Sequence, residues 1–375
     1  MTDTTLSVVG IPAQHAAAPS APTRAEPRPA RQWELDALRL AAIAGVVAIH
    51  VFGLMIGKLV GSRGWWAAVV LDVGSTWVVP VFVMISGALV LSPRAHADGP
   101  VAFYRKRFVR ILPALVVWHL VYLLVVRAAM RGQDLSWGTV TANLINAKTY
   151  TALYFLFLIA GLYVLAPVLA AFLGGGGRRR AYLLAAVAMV WTQGAYAVAT
   201  LSGKLGQPHP LPLDAWNQWW PYVGLFLAGW ALRKTVLSVP GMVVAFMLGT
   251  AAMAEAVWQF GHPTALGPLA AFVPVTRLGP VVAVAALCFF LVAVGVGARV
   301  TPSPRVTLVL KRLSDASFGV FLVHLLILEI GRLTIPAVAA ASSFWVLLPT
   351  YVATLLVSFL VSLVAARIPY VRAVF

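Results

Sequence analysis

The sequence predicts an all-α, polytopic integral membrane protein of about ten transmembrane helices, with both termini in the cytoplasm. Three observations carry that prediction: a surplus of apolar residues, their grouping into bilayer-length runs, and the uneven placement of basic residues between the runs. Apolar residues make up 61% of the 375-residue chain and charged residues 10%. Soluble domains carry about 25% charged residues. A soluble fold of this length could bury a core but could not hide this surplus, which lipid accommodates. The single cysteine, Cys288, lies in an apolar run and permits no internal disulfide, multi-cysteine metal site or thiol relay. No metal is expected.

Taken in order, apolar runs predict helices near 36–57, 65–91, 108–128, 151–173, 181–201, 219–233, 238–258, 271–297, 316–331 and 343–366. The sixth and ninth are short or interrupted. The Gly-Arg run 174–180 and the Pro-rich stretches 208–212 and 301–305 read as loops. Residues 1–31, rich in Ala, Pro, Thr and Ser, read as a disordered cytoplasmic tail. They are too long and polar for a cleavable signal, and the first apolar run is long enough to remain in the membrane. No internal repeat, and no inverted pair of broken helices of the kind common in transporters, is visible.

The net charge of +17 does not point to nucleic acid, because the basic residues occupy the short gaps between apolar runs. One set of alternate gaps, with the tail, holds 19 of the 28 Lys and Arg, including Arg105, Lys106, Arg107, Arg110 and Arg178 to Arg180. The opposite set holds 8, among them Lys58, Arg131, Lys204, Arg277 and Arg332, and Arg39 lies within the first helix. The positive-inside rule therefore places both ends in the cytoplasm of a multi-pass protein of the cell (cytoplasmic) membrane.

Ionisable groups embedded in lipid are costly and mark function. The first helix carries Asp36, Arg39 and His50. Arg39 and His50 are eleven residues apart, a rotation of roughly 20° beyond three full turns, so they share a face. His50 lies roughly 16 Å deeper along the axis. Asp36 sits one turn before Arg39 and can pair with it. This face runs from an ion pair at the cytoplasmic mouth to a titratable imidazole deep inside. Arg39 is suited to an anionic group such as a phosphate, or else snorkels to the interface. His50 can serve as general base or transient acyl carrier, or else bond a neighbouring helix.

His324 also lies within the bilayer and divides evenly between a structural and a functional reading. His119, beside Trp118, reads as structural. Arg107 and Arg110, on one face where the third helix begins, serve either as a topology anchor for anionic lipid or as a grip on the phosphates of a cytoplasmic cofactor. Pro113 fits an early helical position there. Ser86-Gly87 reads first as a close-packing element.

These segments, in order, resemble membrane acyltransferase family 3. Arg39 through His50 is similar to its R-x10-H signature, Ser86-Gly87 to its Ser-Gly motif, and Arg107-Phe-Val-Arg110 to its R-x-x-R element. Tyr154-Phe155 through Tyr163 to Pro167 resembles its fourth-helix segment, and Ser317 through His324 its late Ser…His segment. Where the family often has His-Leu-Trp-Phe, this chain has Ala152-Leu153-Tyr154-Phe155. That departure bears on the acceptor more than on the reaction.

The resemblance implies that 32–375 forms a transmembrane acyltransferase domain. It would move an acyl group, usually acetyl from acetyl-CoA or another acyl-CoA, to a hydroxyl of a carbohydrate or exported polysaccharide. His50, Arg39 and His324 would be catalytic, and Arg107, Arg110 and Arg39 would hold the donor. Asp36, Ser86, Tyr154 and Tyr163 would support the substrates. No appended soluble domain is expected within the loops, so transfer would finish in the membrane. The rival readings are a transporter or flippase of a polysaccharide or lipid-linked sugar, and a non-catalytic assembly factor.

Overall fold

The computed structural model describes residues 32–58 and 60–375, so the expected tail over 1–31 lies outside the described residues. Regular structure among the described residues is entirely helical. In order come α1 (Trp33–Ile56), α2 (Trp65–Asp72), α3 (Val78–Val90), α4 (Gly99–Leu120), α5 (Trp137–Ile145), α6 (Tyr154–Gly174) and α7 (Gly177–Lys204). They are followed by α8 (Val223–Leu232), α9 (Val239–Gly261), α10 (Pro280–Gly297), α11 (Pro304–Thr334), α12 (Pro336–Ala340) and α13 (Phe344–Ala365).

Nine spans among the described residues are long and apolar enough to cross a membrane, and Trp220–Leu232 is a shorter apolar helix at the predicted sixth position. Their positions correspond to those of the ten predicted helices. Residues pointing away from the bundle are apolar, as in Val187, Val190, Trp191 and Val198 of α7, or Leu356, Leu360 and Val364 of α13. Lipid is the solvent for such faces.

Several boundaries differ from the sequence reading, each for a local reason. α4 begins at Gly99, with Pro100 in its first turn, so Pro113 lies inside the helix rather than near its start. The basic segment 105–110 is therefore already helical. A π-helical stretch, Val121–Met130, continues α4. The predicted eighth helix starts at Pro280, not 271, because Pro274 interrupts the earlier stretch and Pro280 is pre-set for a first helical turn. The predicted ninth is neither short nor interrupted. Ser303 caps it by accepting from the Val306 amide, and 31 residues follow, including Lys311, Arg312 and Asp315, which lower its apolarity at the start. The short helix α5 was not anticipated; Ser136 caps it through the Thr139 amide.

α1 is the hub of the bundle, packing against α2, α3, α10, α11 and α13. Phe52 anchors it to α13, with its ring 5.5 Å from that of Phe344 and 5.6 Å from that of Tyr351. α3 and α8 cross backbone to backbone: a Cβ on Gly87 would overlap the Phe226 carbonyl, and one on Gly229 would overlap the Met84 carbonyl. Without a hydrophobic force between helices in lipid, such close approach of small residues supplies the packing.

Candidate active site

The early turns of α1 and α11 meet through a polar relay. Ser314 Oγ donates to Asp36 Oδ1 at 2.7 Å and accepts from Arg39 Nη1 at 3.0 Å. Arg39 and Asp36 stand 3.9 Å apart as an i,i+3 ion pair. Asp36 is 5% exposed, so its charge is compensated inside the protein. The hydroxyl of Ser314, which the sequence did not single out, ties the predicted pair to a helix 275 residues away.

α4 brings Arg107 and Arg110 to the same region. The Arg107 guanidinium lies 5.7 Å from the ring centres of both Phe103 and Tyr163, and its buried Nε has no hydrogen-bond partner. Arg110 lies 5.3 Å from the Phe318 ring of α11. Stacking holds a planar cation by its face and leaves its N–H edge for a ligand.

These groups open onto a cavity of about 760 Å³, within the usual range for small-molecule sites. Of the nine predicted site residues, Arg39, His50, Ser86, Arg107, Arg110, Tyr154 and Tyr163 line it. Asp36 and His324 do not. Asp36 stands behind Arg39, and His324 stands behind His50, with ring centres 5.3 Å apart. His324 is fully buried, its Nδ1 is 3.1 Å from the Val320 carbonyl, and its Nε2 has no partner. Since a carbonyl only accepts, Nδ1 carries a proton.

His50 also lines a second cavity of about 410 Å³, as do Ile49 and Thr151. Its polar wall is an ion-paired cluster. Arg131 donates Nε to Glu329 Oε1 at 2.7 Å and Nη2 to Oε2 at 2.8 Å, while Arg332 Nη1 reaches Oε2 at 3.0 Å. Arg131 also donates to Tyr150 Oη at 2.9 Å and lies over that ring. The bond to Glu329 holds Arg131 above its usual pKa, and burial followed by the Glu329 charge pushes the Tyr150 phenol up. Glu329 lies fifteen residues beyond Ser314 on α11, roughly 22 Å along the axis. The second cavity is thus on the far side of His50 from Arg39.

The far end of the first cavity carries another cation that the sequence reading counted only as a loop charge. Gly297, at the end of α10, abuts Glu34 at the start of α1. Arg277, three residues before α10, is separated from that end by a helix of 18 residues, roughly 27 Å. It lines the cavity with Tyr154, 4.2 Å from that ring centre. Burial opposes its charge, but the phenols of Tyr154, Tyr222 and Tyr196 more than offset this and raise its pKa.

Arg277 was hidden by its Pro- and Gly-rich surroundings. Glu329 did carry a readable signal, an acid inside an apolar run. His119 lines neither cavity; its Nδ1 bonds the Leu115 carbonyl at 2.7 Å and its ring meets Phe157, in keeping with a structural role.

Comparison with known proteins adds one finding. No curated protein and no solved structure matches the chain. A family model described as an acyltransferase domain matches residues 32–367. That match takes in every helix from α1 to α13, and the chain belongs to acyltransferase family 3, a family of membrane-embedded acyltransferases.

Proposed function

We propose that the protein transfers an acyl group, acetyl in the simplest case, from cytoplasmic acyl-CoA to a hydroxyl of a carbohydrate or exported polysaccharide. In this reading 32–375 is the acyltransferase domain of a cytoplasmic-membrane protein with both termini inside. The observation that supports it is the position of His50, common to two cavities: the larger takes in the cationic end at Arg39, Arg107 and Arg110, and the smaller lies beyond His50 from Arg39. The cationic end of the larger cavity suits the donor phosphates: Arg39, Arg107 and Arg110 present stacked or relayed guanidinium groups. The smaller cavity, lined by Tyr150 and the Arg131–Glu329 pair, offers both donors and acceptors, as a polyhydroxylated acceptor requires.

In the step itself, His50 takes the proton of the acceptor hydroxyl as its oxygen attacks the thioester carbonyl. A C–O bond forms, the C–S bond breaks, and the departing CoA thiolate recovers the proton from the imidazolium. His324, which touches neither cavity, acts as a positioning residue for His50. Membership of an acyltransferase family weighs against the transporter and assembly-factor readings.

The test is release of CoA thiol by the purified protein in lipid vesicles, with acetyl-CoA and an oligosaccharide acceptor. Acceptor-dependent thiol release, with one acetyl group gained per modified sugar, is expected. Thiol release or acetylation that never occurs with any saccharide would remove the carbohydrate reading.

A further inference from the structure

One cation in the first cavity has no part in the reaction as described. Arg277 lies at the end away from Arg39, Arg107 and Arg110, and every titratable group acting on it is a phenol: Tyr154, Tyr222 and Tyr196. Its Nε is buried without a hydrogen-bond partner among the described residues, and so are the hydroxyls of Tyr222 and Tyr196. An ionised side chain removed from water without an opposite charge is expensive, and buried polar groups are ordinarily paired. The stacked Tyr154 ring offsets part of that cost. It leaves the buried Nε–H without an acceptor. The cluster is rich in donors, five on the guanidinium and one on each phenol, beside the cavity that contains His50.

The ligand that fits such a cluster offers paired acceptor oxygens and one negative charge. A carboxylate does so, and it meets a guanidinium edge bidentately. A phosphate is better matched by the several cations at the opposite end. Building on the acyl-transfer reading, we infer that Arg277, with Tyr154 and Tyr222, recognises a carboxylate carried by one of the two reactants. The carboxylate belongs either to an acid-terminated acyl group on the donor or to an acidic sugar on the acceptor.

Binding to the full-length protein in nanodiscs separates these sources. In one arm acetyl-CoA, succinyl-CoA and its neutral amide counterpart, succinamoyl-CoA, are titrated; in the other, methyl glucuronide and methyl glucoside. The wild type is expected to bind the carboxylate probe of one arm about tenfold or more tightly than its neutral counterpart. The arm that shows the preference identifies the source. Arg277→Gln should abolish the preference while leaving the neutral probes' affinity unchanged, and Tyr222→Phe should weaken it. Equal binding of charged and neutral probes by the wild type in both arms overturns the inference. So does a preference that survives Arg277→Gln. Should that variant fail to fold, the wild-type comparison and Tyr222→Phe still decide. Failure of every acyl-CoA to bind would count against the acyl-transfer reading, while the glucuronide arm would still judge Arg277.

Discussion

The imidazole rings of His50 on α1 and His324 on α11 stand 5.3 Å apart, centre to centre, with their planes inclined by 36°. Only the first reaches the cavities. This asymmetry divides their roles. His50→Ala is expected to lower kcat by about 10²- to 10⁴-fold, the contribution typical of a general base. Its thermal unfolding and membrane insertion should stay close to those of the parent. His324→Gln should lower kcat less and leave the donor KM unchanged. Turnover at the parental rate in His50→Ala would remove the imidazole from the reaction.

The second prediction concerns the donor end. Arg107 is held by two aromatic faces and keeps a buried Nε open. Hydrogen bonds to charged groups contribute about 1.5–3 kcal/mol, so Arg107→Ala should raise the KM for acyl-CoA by about 10- to 100-fold. Arg107→Lys should recover only part of this, because an ammonium neither stacks nor forks as a guanidinium does. Initial rates across a donor titration test it; an unchanged donor KM would reduce the residue to a charge anchor.

Tyr122 supplies the third. Its hydroxyl donates to the Leu322 carbonyl at 2.8 Å and accepts from the Leu326 amide at 3.1 Å, so it is inserted into the α11 hydrogen-bond ladder around His324. Its ring also stacks on Tyr150, which receives Arg131. The arrangement fixes the helical turn that carries His324 to the cluster lining the second cavity. Tyr122→Phe removes both bonds and should destabilise the protein by about 1–3 kcal/mol. It should lower kcat with donor KM preserved, because the donor end is untouched. Melting curves and steady-state kinetics separate the two effects.

Packing carries the fourth. Alanine at Gly87 or Gly229 would drive a methyl group into a carbonyl of the facing helix. Each substitution should cost at least the 1–3 kcal/mol typical of overpacking, about that order or more. Gly57→Ala, where nothing lies near the added carbon, is the matched control. Retained melting temperature in Gly87→Ala would show that α3 and α8 are less closely joined.

Much of the architecture was legible because lipid imposes a simple code. Apolar runs marked the nine candidate spans and the shorter apolar helix at the sixth position, and spacing along one helix put Arg39 and His50 on a common face. What escaped was either irregular or reached across the fold. Arg277 sits between helices, where no periodicity assigns a direction to a side chain. Ser314 matters only through Asp36 and Arg39, far away in sequence. The start of α11 was missed because Lys311, Arg312 and Asp315 lower the local hydropathy of a helix that Ser303 and Pro304 begin. Ser86-Gly87 joined both readings: Gly87 packs against α8 and Ser86 lines the cavity.

The central claim is that donor and acceptor approach His50 from opposite ends of the bundle, and sidedness tests it most directly. The protein is reconstituted in one orientation in sealed vesicles, with a membrane-impermeant oligosaccharide trapped inside or supplied outside and acyl-CoA added only to the face bearing Arg107. Acylated product is expected when the two substrates are on opposite faces and absent when both are on the donor face. Equal product in both arrangements would contradict a transfer that passes through His50 from one side of the membrane to the other.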